Sequence, residues 1–186
     1  MLVRWFASSW RLDDAEAALS TITSDLEHMQ GATAIAYAYL SAGRITEAVA
    51  LLEQVLTDST RILGQDHPHT LASRNNLAGA YRKAGRITEA ITLYEKVLTD
   101  RTRILGQDHP HTLASRNNLA GAYLSAGRIT EAIALLEQVL TDRTRILGKD
   151  HPATLATLNA LASAYKDAGF LNKATALLEG ETSTEG

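Results

Sequence analysis

Five of the six histidines stand in short connector segments: His67 and His69, His109 and His111, and His151. A His-x-His pair can hold zinc or copper, but a metal site needs further ligands in fixed geometry. The motif returns every 42 residues, as a connector should. The spacing therefore assigns these side chains, with Asp66, Asp108 and Asp150, to helix caps and turns. Serines near them recur in the same way, as turn chemistry and not as a nucleophilic triad. There is no cysteine nucleophile, no phosphate-binding glycine loop and no GxSxG elbow. Glu47, Glu89 and Glu131 fall in the first turns of helices, where a carboxylate favours the helix dipole. No catalytic residue, cofactor or metal is expected, and the class of function left is binding, not enzymatic catalysis.

Composition narrows the partners. A net charge of −3 supplies no basic field for nucleic acid. No apolar run approaches the roughly 20 residues that span a bilayer, and the opening MLVRWFASSW is too short and broken for a signal peptide. The absence of cysteine suits a reducing compartment, so a cytoplasmic protein is expected.

The elements that position these residues follow from an internal repeat. AGRITEA occupies 42–48, 84–90 and 126–132, with a degenerate AGFLNKA at 168–174, and GQDHPHTL or GKDHPATL keeps the same step. Between 57–98 and 99–140 only positions 59/101, 82/124, 83/125, 92/134, 94/136 and 96/138 differ. Each unit reads as two antiparallel helices. The first starts at Pro68, whose missing N–H is unneeded there, capped by Asp66 or His67. It stops at Gly85, a left-handed C-cap. The second runs from about Ile87 to Leu105, with a stripe of Ile87, Ala90, Ile91, Tyr94, Val97, Leu98, Ile104 and Leu105. The small Ala78 and Ala90 let helices approach closely. The charges of TDRTR, at 99–103 and 141–145, read as a solvated outer face. No pair buries its own stripe, so pairs must stack. The expected organisation is a partial repeat over 1–24, repeats over 25–65, 66–107, 108–149 and 150–180, and a disordered tail over 181–186.

Leu77, Ala78, Tyr81, Ala90 and Tyr94 fall where tetratricopeptide repeats keep their packing residues. The 42-residue period, the LG-x-DHP connector and NNLA at 75–78 and 117–120 resemble the repeats of kinesin light chains and related bacterial proteins. The resemblance covers about residues 25–179. It implies an all-α, right-handed superhelical solenoid of antiparallel helix pairs, and a scaffold or adaptor that holds a protein or peptide ligand. A motor role is not implied, because no sustained heptad segment is present.

In such solenoids the first helix of each pair lines the concave face. That places Asn75, Gly79, Arg82 and Lys83 in the groove, followed by Asn117, Gly121, Leu124 and Ser125, then Asn159, Ser163, Lys166 and Asp167. Side-chain amides both donate and accept, so Asn75, Asn117 and Asn159 could pair with the backbone of an extended peptide, as the matching asparagine does in kinesin-light-chain-like repeats. They could also bridge adjacent helices. The first complete unit has Thr33 there. Gly79 and Gly121 either let a ligand backbone approach or permit tight helix packing. Tyr37, at the equivalent place, offers a stacking surface or plugs that end. Arg82 and Lys83 could attract an acidic segment, although drift at solvated positions explains them more simply. Two rival roles remain: a sensor or assembly arm of a larger bacterial signalling NTPase, and self-association. The latter would use an aromatic N-terminal face of Trp5, Phe6 and Trp10 or the C-terminal helix pair.

Overall fold

In a computed structural model, Leu19 and residues 24–182 are described. Among them eight helices follow one another: α1 (Asp25–Ser41), α2 (Ile45–Leu63), α3 (Pro68–Lys83), α4 (Ile87–Leu105), α5 (Pro110–Ser125), α6 (Ile129–Leu147), α7 (Pro152–Asp167) and α8 (Leu171–Thr182). Local chemistry sets their ends. Proline occupies the first turn of α3, α5 and α7, where its fixed φ suits the helix. The preceding histidine caps it: Nδ1 of His67, His109 and His151 accepts the backbone N–H two residues on, at 3.2, 3.1 and 3.1 Å. At the other end of α3 the chain reverses through Gly85, with φ of +76°, and Arg86 N–H returns to Tyr81 O at 2.9 Å. This closing bond needs a left-handed residue, which glycine supplies without a Cβ clash.

Packing divides the chain into two compact units, 1–93 and 94–186, with the division inside α4. The first buries Met29, Ile35, Tyr39, Leu52, Val55 and Leu77 around the fully enclosed Ala36, Ala48 and Ala80. Leu19 joins this core. The second buries Ile133, Leu136, Leu161 and Tyr165 around Ala120, Ala132 and Ala164. The alanines at helix contacts keep backbones close, as Ala78 and Ala90, both fully buried, do. No helix among the described residues is long and apolar enough to cross a membrane.

Two expectations about the second helices are overturned. Ile104 and Leu105 belong to the apolar stripe by spacing, yet they are 38% and 36% exposed. Arg101 and Arg143, expected on a solvated face, are each only 8% exposed. Arg101 Nη1 donates to His111 O at 3.1 Å and to Ser115 Oγ at 2.8 Å. Arg143 Nη1 donates to Ala153 O at 2.8 Å and to Thr157 Oγ1 at 2.5 Å. Below Val97 and Val139 the inward face of the helix meets the start of the next pair, which presents oxygens in place of apolar groups. A guanidinium on an aliphatic stem fills and satisfies that site. The remainder of the segment does face water, as Arg145 shows by pairing with Asp108 at 2.7 Å. At the C-terminus α8 continues through Glu181 and Thr182, two residues into the expected tail. The partial repeat apart from Leu19, and positions 183–186, lie outside the described residues.

One histidine makes stability depend on pH. Burial, then the charges of Arg101 and His109, hold His111 below the ordinary histidine range. A depressed histidine binds fewer protons folded than unfolded, so its contribution is full above the unfolded value and is lost as pH falls through the folded one. The urea midpoint is expected to fall slightly as pH is lowered from about 7.5 to about 5, and His111→Gln, which does not titrate, should remove that part of the slope.

Candidate functional site

The first helices α1, α3, α5 and α7 carry a two-row pattern, one residue per turn and four apart, so both rows share a face. One row is Thr33, Asn75, Asn117 and Asn159, and the other is Tyr37, Gly79, Gly121 and Ser163. In the second unit Asn159 and Ser163 are exposed, while Asn117 and Gly121 are half-buried. A Cβ added at Gly121 would meet nothing within 4 Å. Tight packing therefore does not explain that glycine; its missing side chain leaves the helix open at mid-length. Asn117 has a structural partner, because its Oδ1 accepts from Thr157 Oγ1 at 3.4 Å. It thus belongs to a chain of contacts running through Thr157 to the buried Arg143.

In the first unit Asn75 and Gly79 are half-buried, Arg82 and Lys83 are exposed, and Tyr37 is 50% exposed. Thr33 is half-buried and donates to Met29 O at 2.8 Å. Burial raises the Tyr37 hydroxyl above its ordinary value. In the second unit Lys166 and Asp167 are exposed, but Leu124 is not a free lip residue. It is half-buried and packs against the buried core of this unit. An apolar side chain there gains more from the core than from water, whereas Arg82, at the equivalent place, stays in solvent.

A further constellation recurs with the same period and was not anticipated from the sequence. Tyr81 donates to Glu53 at 2.7 Å, Tyr123 donates to Glu95 at 3.0 Å, and Tyr165 donates to Glu137. Each bond ties a first helix to the second helix of the preceding pair. Arg86 stacks 3.8 Å from the centre of the Tyr81 ring and pairs with Glu89 at 2.5 Å. Arg128 repeats this on Tyr123 and Glu131. Burial and then the Glu137 bond push the Tyr165 hydroxyl up to about 12. The bonds from Arg86 and Arg128 hold Glu89 and Glu131 below the usual carboxylate range. In the last pair Phe170 replaces the arginine and packs edge-on to Tyr165 at 6.4 Å. The signal was present as a shared 42-residue period of Tyr, Arg and Glu; distances of 28 residues hid the pairing.

Of the connector histidines, His67, His109 and His151 are caps, while His69 and His111 lie in the first turns of α3 and α5. Among the described residues no group of three or more His, Asp or Glu lies together to hold a metal ion. Of the surfaces considered for self-association, Phe170 and Leu171 of the C-terminal pair are exposed. Trp5, Phe6 and Trp10 lie outside the described residues.

The Tetratricopeptide repeat family profile matches three overlapping stretches, residues 27–99, 70–143 and 112–179. Among solved structures, a kinesin light chain-type protein of Podosopora anserina, with nearly identical TPR-like repeats, is 34% identical. That match covers 98% of this chain and 90% of the other, with a TM-score of 0.81. BtubC (BKLC) from P. vanneervenii superposes with a TM-score of 0.82 at 21% identity, covering 98% of this chain and 76% of that one. A Rap protein complexed with Competence and Sporulation Factor gives 0.75 at 15% identity, over 90% of this chain and 45% of that one. The last two similarities establish fold alone. No protein with a curated description matches.

Proposed function

The chain belongs to the tetratricopeptide-repeat family, an all-α superhelical fold of protein interaction, and from that premise we propose that it holds a peptide or partner domain on the face that the first helices present within a compact unit. The observation that carries this reading is Gly121. A helix-interior glycine costs about 1 kcal/mol relative to alanine, and here no packing constraint returns that cost. A bare stretch of helix four residues from an amide suits close approach of a ligand backbone, with Asn117 and Asn159 able to donate and accept alongside. In the first unit, exposed Arg82 and Lys83 favour an acidic segment, and exposed Tyr37 offers a ring for stacking. A structure of similar fold, the Rap protein, is complexed with Competence and Sporulation Factor, which is consistent with ligand binding on this architecture.

Selection of a displayed peptide library on the immobilised chain supplies the ligand for the test. Converting Asn75, Asn117 and Asn159 together to Ala is expected to weaken the selected peptides at least about tenfold, equivalent to ~1.4 kcal/mol. Gly121→Gln is the cleaner variant, because its Cβ meets no packed neighbour. It should raise the thermal midpoint slightly, through better helix propensity, while blocking the same peptides. Unchanged affinity in both variants, with native circular dichroism, would sink the groove reading.

A further inference from the structure

The nearly identical repeats differ at position 59/101, and the structure shows what that difference does. Arg101 reaches from α4 into the start of α5, bonding His111 O and Ser115 Oγ. Arg143 makes the corresponding reach from α6 into α7. At the same place on α2 stands Ser59, whose hydroxyl turns back to Leu56 O at 3.1 Å. The receiving oxygens are nevertheless kept. Ser73 Oγ donates to His69 O at 2.9 Å, in the arrangement that Ser115 Oγ and His111 O adopt at 3.0 Å.

Between α1, α2 and α3 lies a cavity with Ser59, His69 and Ser73 on its wall. Its enclosed volume is small, about 30 Å³, and it opens outward to solvent. Met29 and Val55 supply an apolar floor of the kind that receives an arginine stem, and Gln30 adds a side-chain carbonyl. Leu26 and His69 are exposed, so the cavity is reached from solvent.

We propose that this cavity is a receptor for a guanidinium group, which the chain supplies from within itself at the two later positions and takes from a ligand at this one. Recognition rests on the fork of N–H donors. One guanidinium nitrogen can bond a carbonyl and a hydroxyl together while the planar group lies against apolar side chains. A compact ammonium is more strongly hydrated and fits this less well. The inference does not depend on the first-helix groove, since the cavity acts through α2 and the N-terminal turns of α3.

The test uses the full chain labelled with nitrogen-15. N-propylguanidinium and the peptide acetyl-Ala-Arg-Ala-amide are titrated in parallel, with propylammonium and acetyl-Ala-Lys-Ala-amide as controls. Saturable shifts at the amides of Gln30, His69 and Ser73 are expected, at least fivefold weaker with the ammonium controls. Ser59→Arg should abolish them and raise the urea midpoint, because it places the group in cis. Response to the peptide alone assigns a partner's arginine as the source. Response to propylguanidinium, with or without the peptide, assigns the site to guanidinium compounds generally. Absence of saturable shifts with both, an equal response in Ser59→Arg, or a lowered midpoint in that variant would overturn the proposal.

Discussion

Arg143→Ala is expected to lower the free energy of unfolding in urea by about 2–4 kcal/mol, whereas Arg145→Ala, two residues away, should leave the midpoint unchanged. The two arginines share one short charged segment and are indistinguishable by composition. Arg143 is buried, bonds Ala153 O and Thr157 Oγ1, and lays its stem against the core. Its removal deletes two charge-assisted bonds, leaves polar oxygens under-satisfied and opens a void. Burial of the guanidinium holds its proton affinity below the ordinary arginine value, which marks how far it has left water. Arg145 is exposed and pairs with Asp108 and Asp142, contacts that water and salt screen. Arg143→Lys should fall between the two, keeping charge and stem but losing the fork. Equal small effects from both alanine variants would mean that Arg143 does not hold its pair against the next.

The second large effect is expected at Leu136. Leu136→Ala should cost about 3–4 kcal/mol, by lost burial and the cavity left behind. Ile146→Ala, on the same helix and in the same apolar stripe, should cost under about 1 kcal/mol. Leu136 is 1% exposed and sits among Ala132, Leu161 and Ala164. Ile146 lies in the last turn of α6 and remains 38% exposed. Urea unfolding of both variants distinguishes the alternatives: similar losses would restore the stripe that spacing alone suggests. Because the chain forms two compact units, both a fluorescence and a circular dichroism transition should be followed.

Legibility of the groove residues was uneven. The row of asparagines and glycines could be read off the period, since a fixed step places equivalent residues on equivalent turns. Gly121 had two readings in sequence, and the open space at its Cβ position removes the packing one. Asn117 also had two, and its bond to Thr157, 40 residues away, gives the helix-bridging reading a partner while leaving ligand contact to experiment. Leu124 was read as a groove residue and instead packs on the core, because nothing in its own segment reveals which neighbour it meets.

By itself the sequence determined where helices begin and end, because those limits are set within a few residues. Proline fixes φ, a histidine can accept the free backbone N–H two positions on, and glycine alone passes cheaply through the left-handed turn. Tertiary structure decided which of two chemically similar residues is inside. Ser59 and Arg101 occupy the same position in an alignment of the repeats, but only the packing of a neighbouring helix turns that difference into an open cavity and a filled junction. Burial is a property of two surfaces, and the second surface comes from elsewhere in the chain.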